Sequence, residues 1–280
     1  MKLTFEDISV FLAKRFFSMR FLIAKITRKS KLYKTIIDKL FLEGDEIYII
    51  PNDNRISKEI SLNVSIPSSE DTVLPTTILR EMIKKSNHIV IMDYCLCRTS
   101  NKCEDYPQDL GCIFIGENTK NISRKHCHDA TVEEALLHVD KCAEVGLTHL
   151  IGRNKIDSVW TNSGPKEGLL TICNCCPCCC LWKLTPELSD DLSSCIKPLP
   201  GVHLDYNPEL CTGCGKCLDN CFLDAISLSE DKCISIDTDV CRKCGKCSTV
   251  CPSNALKISF EEYAVDDILN RLDSLVDVTK

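Results

Sequence analysis

Eight cysteines near the C-terminus fall into two runs of identical spacing, Cys211-x2-Cys214-x2-Cys217-x3-Cys221 and Cys241-x2-Cys244-x2-Cys247-x3-Cys251, the second closed by Pro252. A cubane [4Fe–4S] cluster needs four thiolates converging on one small volume, and two-residue gaps wrap three of them around a single corner of backbone. The fourth must come from elsewhere. In a two-cluster arrangement it comes from the other run, which assigns Cys211, Cys214, Cys217 and Cys251 to one cluster and Cys241, Cys244, Cys247 and Cys221 to the other. A four-cysteine zinc site built on C-x2-C pairs leaves the third and fourth cysteines of each run unused. Cys233 belongs to neither run and reads as a small buried hydrophobe.

Ten more cysteines cluster upstream. Cys95-Leu-Cys97-Arg98 is followed by Cys103 and Cys112, and a second segment, Cys173-Asn-Cys175-Cys176-Pro-Cys178-Cys179-Cys180, places six cysteines within eight residues. Adjacent cysteines cannot adopt ordinary disulfide geometry with each other, and the first forty residues lack an uninterrupted apolar core followed by a small-residue cleavage site. With 22 cysteines in the chain, free thiols and cubane motifs imply a reducing, anoxic cytoplasm. The expectation is at least one additional iron–sulfur cluster held by this upstream set, with structural zinc as the alternative. Arg98 reads either as a counter-charge to a negative cluster or as an ordinary surface arginine.

The elements that must position these residues follow from pattern. Val202–Tyr206, Ala225–Leu228, Cys233–Ile236 and Ala255–Phe260 alternate or cluster β-formers, with the cysteine runs between them. Residues 203–260 resemble the bacterial-type dicluster ferredoxins, which implies an α+β ferredoxin-like fold, two [4Fe–4S] clusters and electron transfer. One departure is that Phe222, not proline, follows Cys221. Ahead of it, Glu46–Pro51, Asn87–Tyr94, Leu147–Gly152 and Leu169–Cys173 read as strands, with Cys112–Gly116 an apolar stretch after the first cysteine segment. Leu74–Ser86 and a helix opened by the Thr131/Glu134 capping box and stopped at Gly146 alternate with them, which predicts an α/β domain. Cysteines at the C-terminal ends of two strands of one sheet would meet in space. The pairing of C-x-C-R with C-N-C-C-x-C-C ahead of a dicluster module resembles uncharacterised ferredoxin-fusion proteins of strict anaerobes, which implies that both segments belong to one site.

Residues 1–41 carry ten Lys or Arg against three acids, in a chain of net charge −6. Thr4 and Asp7 resemble a capping box, and Ile8, Leu12, Phe16, Met19, Ile23 and Ile26 recur at helical spacing, which predicts one amphipathic helix. A second, about residues 31–41, carries Leu32, Ile36, Ile37 and Leu40. The basic residues interrupt the pattern too often for a membrane span. Two readings stand: a helical hairpin packed on the next domain, or a basic amphipathic helix lying on a membrane surface, widened by Phe11, Phe17 and Phe21. The expected organisation is a helical arm at 1–41, a cysteine-rich α/β domain at 42–200, the ferredoxin domain at 201–260 and a C-terminal helix at 261–280.

Other signals are weaker. His126-Cys127-His128 and the His138/Cys142 pair have ligand spacing but occur commonly without metal. Gly213-Cys-Gly215-Lys216 lacks the Ser or Thr of a phosphate loop, no nucleophile–base pair is legible, and no nucleic-acid motif accompanies the basic arm. Lys216, Lys243 and Lys246 border the cluster runs as solvated or docking lysines. The functional expectation is an iron–sulfur electron carrier or electron-input subunit working with a redox partner protein. The alternatives are an oxidoreductase whose upstream site reduces a small substrate and a zinc-stabilised interaction domain. The expected location is the cytoplasm, with peripheral contact to a membrane.

Overall fold

The computed structural model describes residues 5–51, 53 and 74–280. Among the described residues, seven strands form the main sheet: β1 Glu46–Ile50, β2 Ile89–Met92, β3 Ile113–Ile115, β4 Cys127–Asp129, β5 Thr148–Arg153, β6 Leu170–Cys175 and β7 Ile196–Pro198, in the order β4-β2-β3-β6-β5-β1-β7. Strand and helix alternate along the chain, and the protein is mixed α and β. Its pairings nevertheless depart from the parallel sheet that such alternation usually builds: all are antiparallel except β1 with β7. The intervening helices Leu96–Asn101 and Lys155–Thr161 have six and seven residues, so each is about 10 Å long. They turn the chain at an end of the sheet and do not carry it back along a face.

Two antiparallel steps restore direction. β2 and β6 both pair with β3, so they run the same way, and their C-terminal ends lie at the edge where β3 begins. Alternation then sorts the residues by face. Tyr48, Ile50, Ile89, Ile91, Ile113, Ile115, Ile151, Leu170 and Ile172 share one core with Met82, Val139 and Leu272 from three helices. Ile47, Ile49, Leu150, Cys173 and Cys175 pack into a second core on the other face.

The helix Val132–Glu144 starts at the expected capping box, Thr131 Oγ1 accepting from Glu134 N–H at 3.2 Å and Glu134 accepting from Thr131 N–H at 2.8 Å. It ends before Gly146, whose φ of 76° suits glycine. Beyond the main sheet, β8 Val202–Tyr206 pairs with β11 Leu256–Phe260, and β9 Ile226–Leu228 with β10 Ile234–Ile236, both antiparallel. The chain then returns: the helix Ala264–Leu275 buries Val265, Ile268, Leu272 and Leu275 in the same core as the helix Thr77–Lys84.

The N-terminal arm differs from its sequence pattern. The expected single helix is two, Phe5–Phe16 and Arg20–Lys29, separated by a 3-10 turn at Phe17–Met19. The Thr4 capping position lies outside the described residues. The second helix spans Lys31–Ile37 and continues as a π-helical turn, Asp38–Leu42. Burial departs from the apolar stripe: Val10, Arg20, Ala24, Thr27 and Leu42 are buried, Ile8, Leu12, Phe16 and Met19 of the stripe are exposed together with Phe11 and Leu22, and Ile23 and Ile26 are half-buried. Ion pairs Lys25–Glu187, Arg28–Asp190 and Asp7–Lys125 hold the arm to the body.

One polar clamp closes the fold. Arg271 of the C-terminal helix donates to both carboxylate oxygens of Glu46 on β1, at 2.7 and 2.8 Å. That pairing, aided by Tyr48 and Lys197, holds the Glu46 carboxyl down to about 2. A depressed carboxyl stabilises the folded state above its unfolded pKa and loses that contribution as pH falls toward the folded value. Glu46→Gln is expected to cost about 1–3 kcal/mol at pH 7. In thermal denaturation the gap between variant and wild type should narrow between pH 5 and pH 2.5, and a gap independent of pH would refute the linkage.

Candidate metal centres

The C-terminal runs build two concave sites. Each run ends in a short helix whose N-cap is a glycine in the left-handed region: Gly215 before Lys216–Asp219 and Gly245 before Lys246–Val250, both at φ 75°. The first three cysteines of each run wrap this corner. Gly213 is constrained further, since at φ +64° an added Cβ would meet the Lys232 carbonyl oxygen at 2.6 Å. One concavity is lined by Cys211, Cys214, Cys217 and Cys251. A second is lined by Cys221, Cys241, Cys244 and Cys247. Each therefore gathers three cysteines of one run and the last of the other. Cys233, half-buried, lines neither, and so is more exposed than its expected role as a core hydrophobe.

The two sites differ in surroundings. The Cys211 site opens toward solvent, with Cys214 exposed, and is lined wholly by residues 211–256. The Cys241 site reaches the main sheet, because Ile49 of β1 shares its lining. Burial pushes the Cys247 thiol up, so that sulfur keeps its proton unless a cation replaces it.

Upstream, both cysteine segments come together at the sheet edge where β2 and β6 end. Cys173 and Cys175, two residues apart on a strand, point to the same face, and Cys112 lies just before β3 with its Sγ 3.9 Å from Cys173 Sγ. Cys175 Sγ is 3.0 Å from Cys180 Sγ. The Cys97 thiol donates to Cys95 and, with Arg98 nearby, draws Cys95 down to about 7 against the effect of burial. Donation from Cys112 and Cys175 holds Cys173 well below the ordinary thiol range, and those donors are raised in turn. Cys95, Cys97, Cys112, Cys173, Cys175 and Cys180 thus form one continuous sulfur set.

The other four cysteines form a second set. The sulfurs of Cys103, Cys176, Cys178 and Cys179 all lie within 4.8 Å of one another. Cys103 Sγ and Cys178 Sγ are 3.6 Å apart, and Cys179 N–H donates to Cys176 Sγ at 3.3 Å. A tetrahedral metal with 2.3 Å bonds to sulfur sets its thiolates about 3.8 Å apart. The thiolates of a cubane each bind a different iron and stand farther apart. By size, this second set suits one metal ion.

Buried cations separate and join these sets. Arg98 is fully buried, donating to the carbonyls of Pro107 at 2.7 Å and Asn174 at 2.8 Å and to that of Leu110. Burial alone lowers its pKa, but the thiols of Cys95, Cys176, Cys175 and Cys112 more than reverse this. Arg98 is thus a counter-charge, not a surface arginine. Lys246, read from sequence as a bordering lysine, is also buried: its ammonium donates to the Gly146 carbonyl, lies 5.8 Å from the Tyr106 ring, and faces both Cys244 and Cys176. Lys216 is exposed, and Lys243 donates to the Val202 carbonyl at 3.0 Å. The only sequence hint of a role for Arg98 was its position after Cys97; nothing local marks Lys246.

The histidine motifs gather no metal set among the described residues. His126 Nδ1 lies 3.0 Å from the Tyr94 hydroxyl, His128 Nδ1 lies 2.6 Å from Asp93, and His138 Nε2 donates to the Gly111 carbonyl at 2.9 Å. Beside Cys173, burial first and the neighbouring sulfur second raise the Asp157 carboxyl to about 8.

Residues 210–255 match the family model of the 4Fe-4S dicluster domain, a span that contains all eight cysteines of the two runs. No curated protein matches the chain. The chain therefore carries an iron–sulfur dicluster domain with two [4Fe–4S] clusters as its typical content, and no described helix is long and apolar enough to cross a membrane.

Arg98→Met should be destabilising, because it removes the cation and leaves the carbonyls of Pro107, Leu110 and the buried Asn174 without their donor. The expected loss is about 3 kcal/mol or more in denaturant unfolding, against less than about 1 kcal/mol for Lys216→Met at an exposed position. Equal stability of the two variants would show that Arg98 does not organise the sulfur sets.

Proposed function

We propose that this chain is an iron–sulfur electron-transfer protein in which two [4Fe–4S] clusters relay electrons between a redox partner and an additional upstream centre. Cys211, Cys214, Cys217 and Cys251 hold the outer cluster, where a partner docks near exposed Cys214. Cys241, Cys244, Cys247 and Cys221 hold the inner one. The carrying observation is that Cys244 packs into the same buried core as Cys173, Cys175 and Cys180. The inner cluster thus adjoins the upstream sulfurs, while the outer one has no upstream neighbour in its lining. The six-sulfur set takes the additional iron–sulfur cluster, using four of its members, and the compact four-sulfur set takes one metal ion, with zinc the structural choice. The clusters supply one-electron chemistry. The chain supplies thiolates, N–H donors and the buried cations Arg98 and Lys246, which favour the reduced, more negative state.

Iron and sulfide quantification tests the count. Two cubanes give about eight irons per chain, and a third cluster raises this toward twelve. Cys175→Ser should remove a spectroscopically distinct signal while both ferredoxin-type signals persist; unchanged iron content would count against Cys175 as an essential ligand. Cys251→Ser should disturb the outer cluster alone, and loss of the inner signal instead would overturn the crossed assignment.

The arm adds a membrane contact to this reading. Ile8, Phe11, Leu12, Arg15 and Phe16 share one exposed helix face, with Phe11 65 % and Leu32 74 % exposed, and Lys29 and Lys31 are also exposed. An apolar stripe bordered by basic residues fits an anionic bilayer surface. Vesicles containing anionic lipid should pellet the protein at low salt, and Phe11→Asp should weaken this about tenfold. Absence of pelleting at low salt would assign the face to a protein partner.

A further inference from the structure

Beneath the arm lies a pocket of about 180 Å³, walled by the Arg20–Lys29 helix, the turn Asp38–Leu42 and the 3-10 segment Leu181–Glu187. Its lining is apolar, including Ile23, Ile37, Phe41, Trp182 and Leu188, with one exception. Arg20 enters this wall and is itself 8 % exposed. Its guanidinium lies near the Phe17 and Phe21 rings, at 4.3 and 4.4 Å, and donates to the Phe17 carbonyl at 3.0 Å. Its buried Nε has no hydrogen-bond partner among the described residues. A buried donor without an acceptor is costly, and an oxygen supplied by a ligand would satisfy the same guanidinium.

The occupant's chemistry follows from three constraints. The walls are hydrocarbon, which selects an apolar body, and the enclosed space of about 180 Å³ admits a single small ring. Arg20 selects an acceptor oxygen. Arg20 also faces Cys97 and Cys180, which carry negative charge once they hold the proposed upstream cluster, so a neutral acceptor suffices. The pocket also touches the sulfur sets directly, since Trp182 in its wall donates its backbone N–H to Cys180 Sγ at 3.4 Å.

We propose that this pocket binds a neutral, lipid-soluble molecule of the quinone class, with a carbonyl oxygen on Arg20 and the ring among Ile23, Ile37, Phe41 and Trp182. The arm's exposed apolar face provides the approach from a bilayer. Binding stands on the pocket alone. Turnover rests on the electron-transfer reading: the quinone accepts two electrons, one from each of two reduced clusters, and two protons from water, giving the quinol, two hydroxides and two oxidised clusters.

Calorimetric titration of the full chain with duroquinone under anoxic conditions tests the binding. Wild type and Cys175→Ser should bind, Arg20→Leu should bind about tenfold more weakly, and Ile23→Trp, which fills the pocket, should not bind. Arg20→Leu tests the polar contact, and Ile23→Trp keeps the test valid if that variant fails to fold. No binding by wild type, wild-type affinity in Ile23→Trp, or tighter binding of decanoate than of duroquinone would overturn the proposal. Mixing reduced protein with duroquinone should reoxidise the clusters and yield one quinol for every two electrons they held. Binding without reoxidation upholds the pocket and overturns the electron path.

Discussion

The guanidinium of Arg98 is the constraint on which the upstream half of the molecule depends. Ten cysteine sulfurs crowd one end of a sheet whose opposite face is a continuous hydrocarbon core. Thiolates cannot be buried at such density without a positive charge, and a buried charge must itself be paired and hydrogen-bonded. Arg98 meets both requirements. It faces members of both sulfur sets while holding the carbonyls of Pro107, Leu110 and Asn174. Two of those carbonyls belong to the loop between β2 and β3 and the third to β6, so one side chain ties together the two cysteine segments it neutralises.

Around that centre the order of redox groups is a matter of topology. Antiparallel pairing of β2 and β6 with a shared β3 brings Cys95, Cys112 and Cys173 to one edge. The dicluster segment then packs against the same face through Cys244, Phe222 and Leu223. Lys246 lies between Cys244 and Cys176, a cation shared by the two halves. The return of the C-terminal helix to β1 through Arg271 and Glu46 fixes the docking, so the inner cluster site keeps a packed neighbour and the outer one faces solvent.

The arm shows how an amphipathic pattern can mislead. Its helices have the predicted apolar stripe, but the body is contacted by Val10, Arg20, Ala24 and Thr27, and the first part of the stripe, Ile8, Leu12, Phe16 and Met19, faces outward. Small and polar residues face inward because the helices lie close over the 3-10 segment and the sulfur sets, where Arg20 supplies charge and Ala24 permits approach. The apolar face is left for another surface, and the cavity below the arm is a consequence of the same placement.

What the sequence determined by itself was local. Two cysteine runs of fixed spacing, their glycine corners, the strands between them and the Thr131 capping box all follow from interactions a few residues apart, and spacing within a run governs which sulfurs wrap one corner of backbone. Tertiary structure alone decided the rest. It divided ten upstream cysteines into sets of six and four, turned Arg98 and Lys246 from ambiguous surface charges into buried counter-ions, and chose which face of the arm meets the body. Those outcomes depend on which distant segments share a sheet edge or a core. A periodic sequence specifies the faces of a helix or strand, but the partner that covers each face is set by packing across the whole chain.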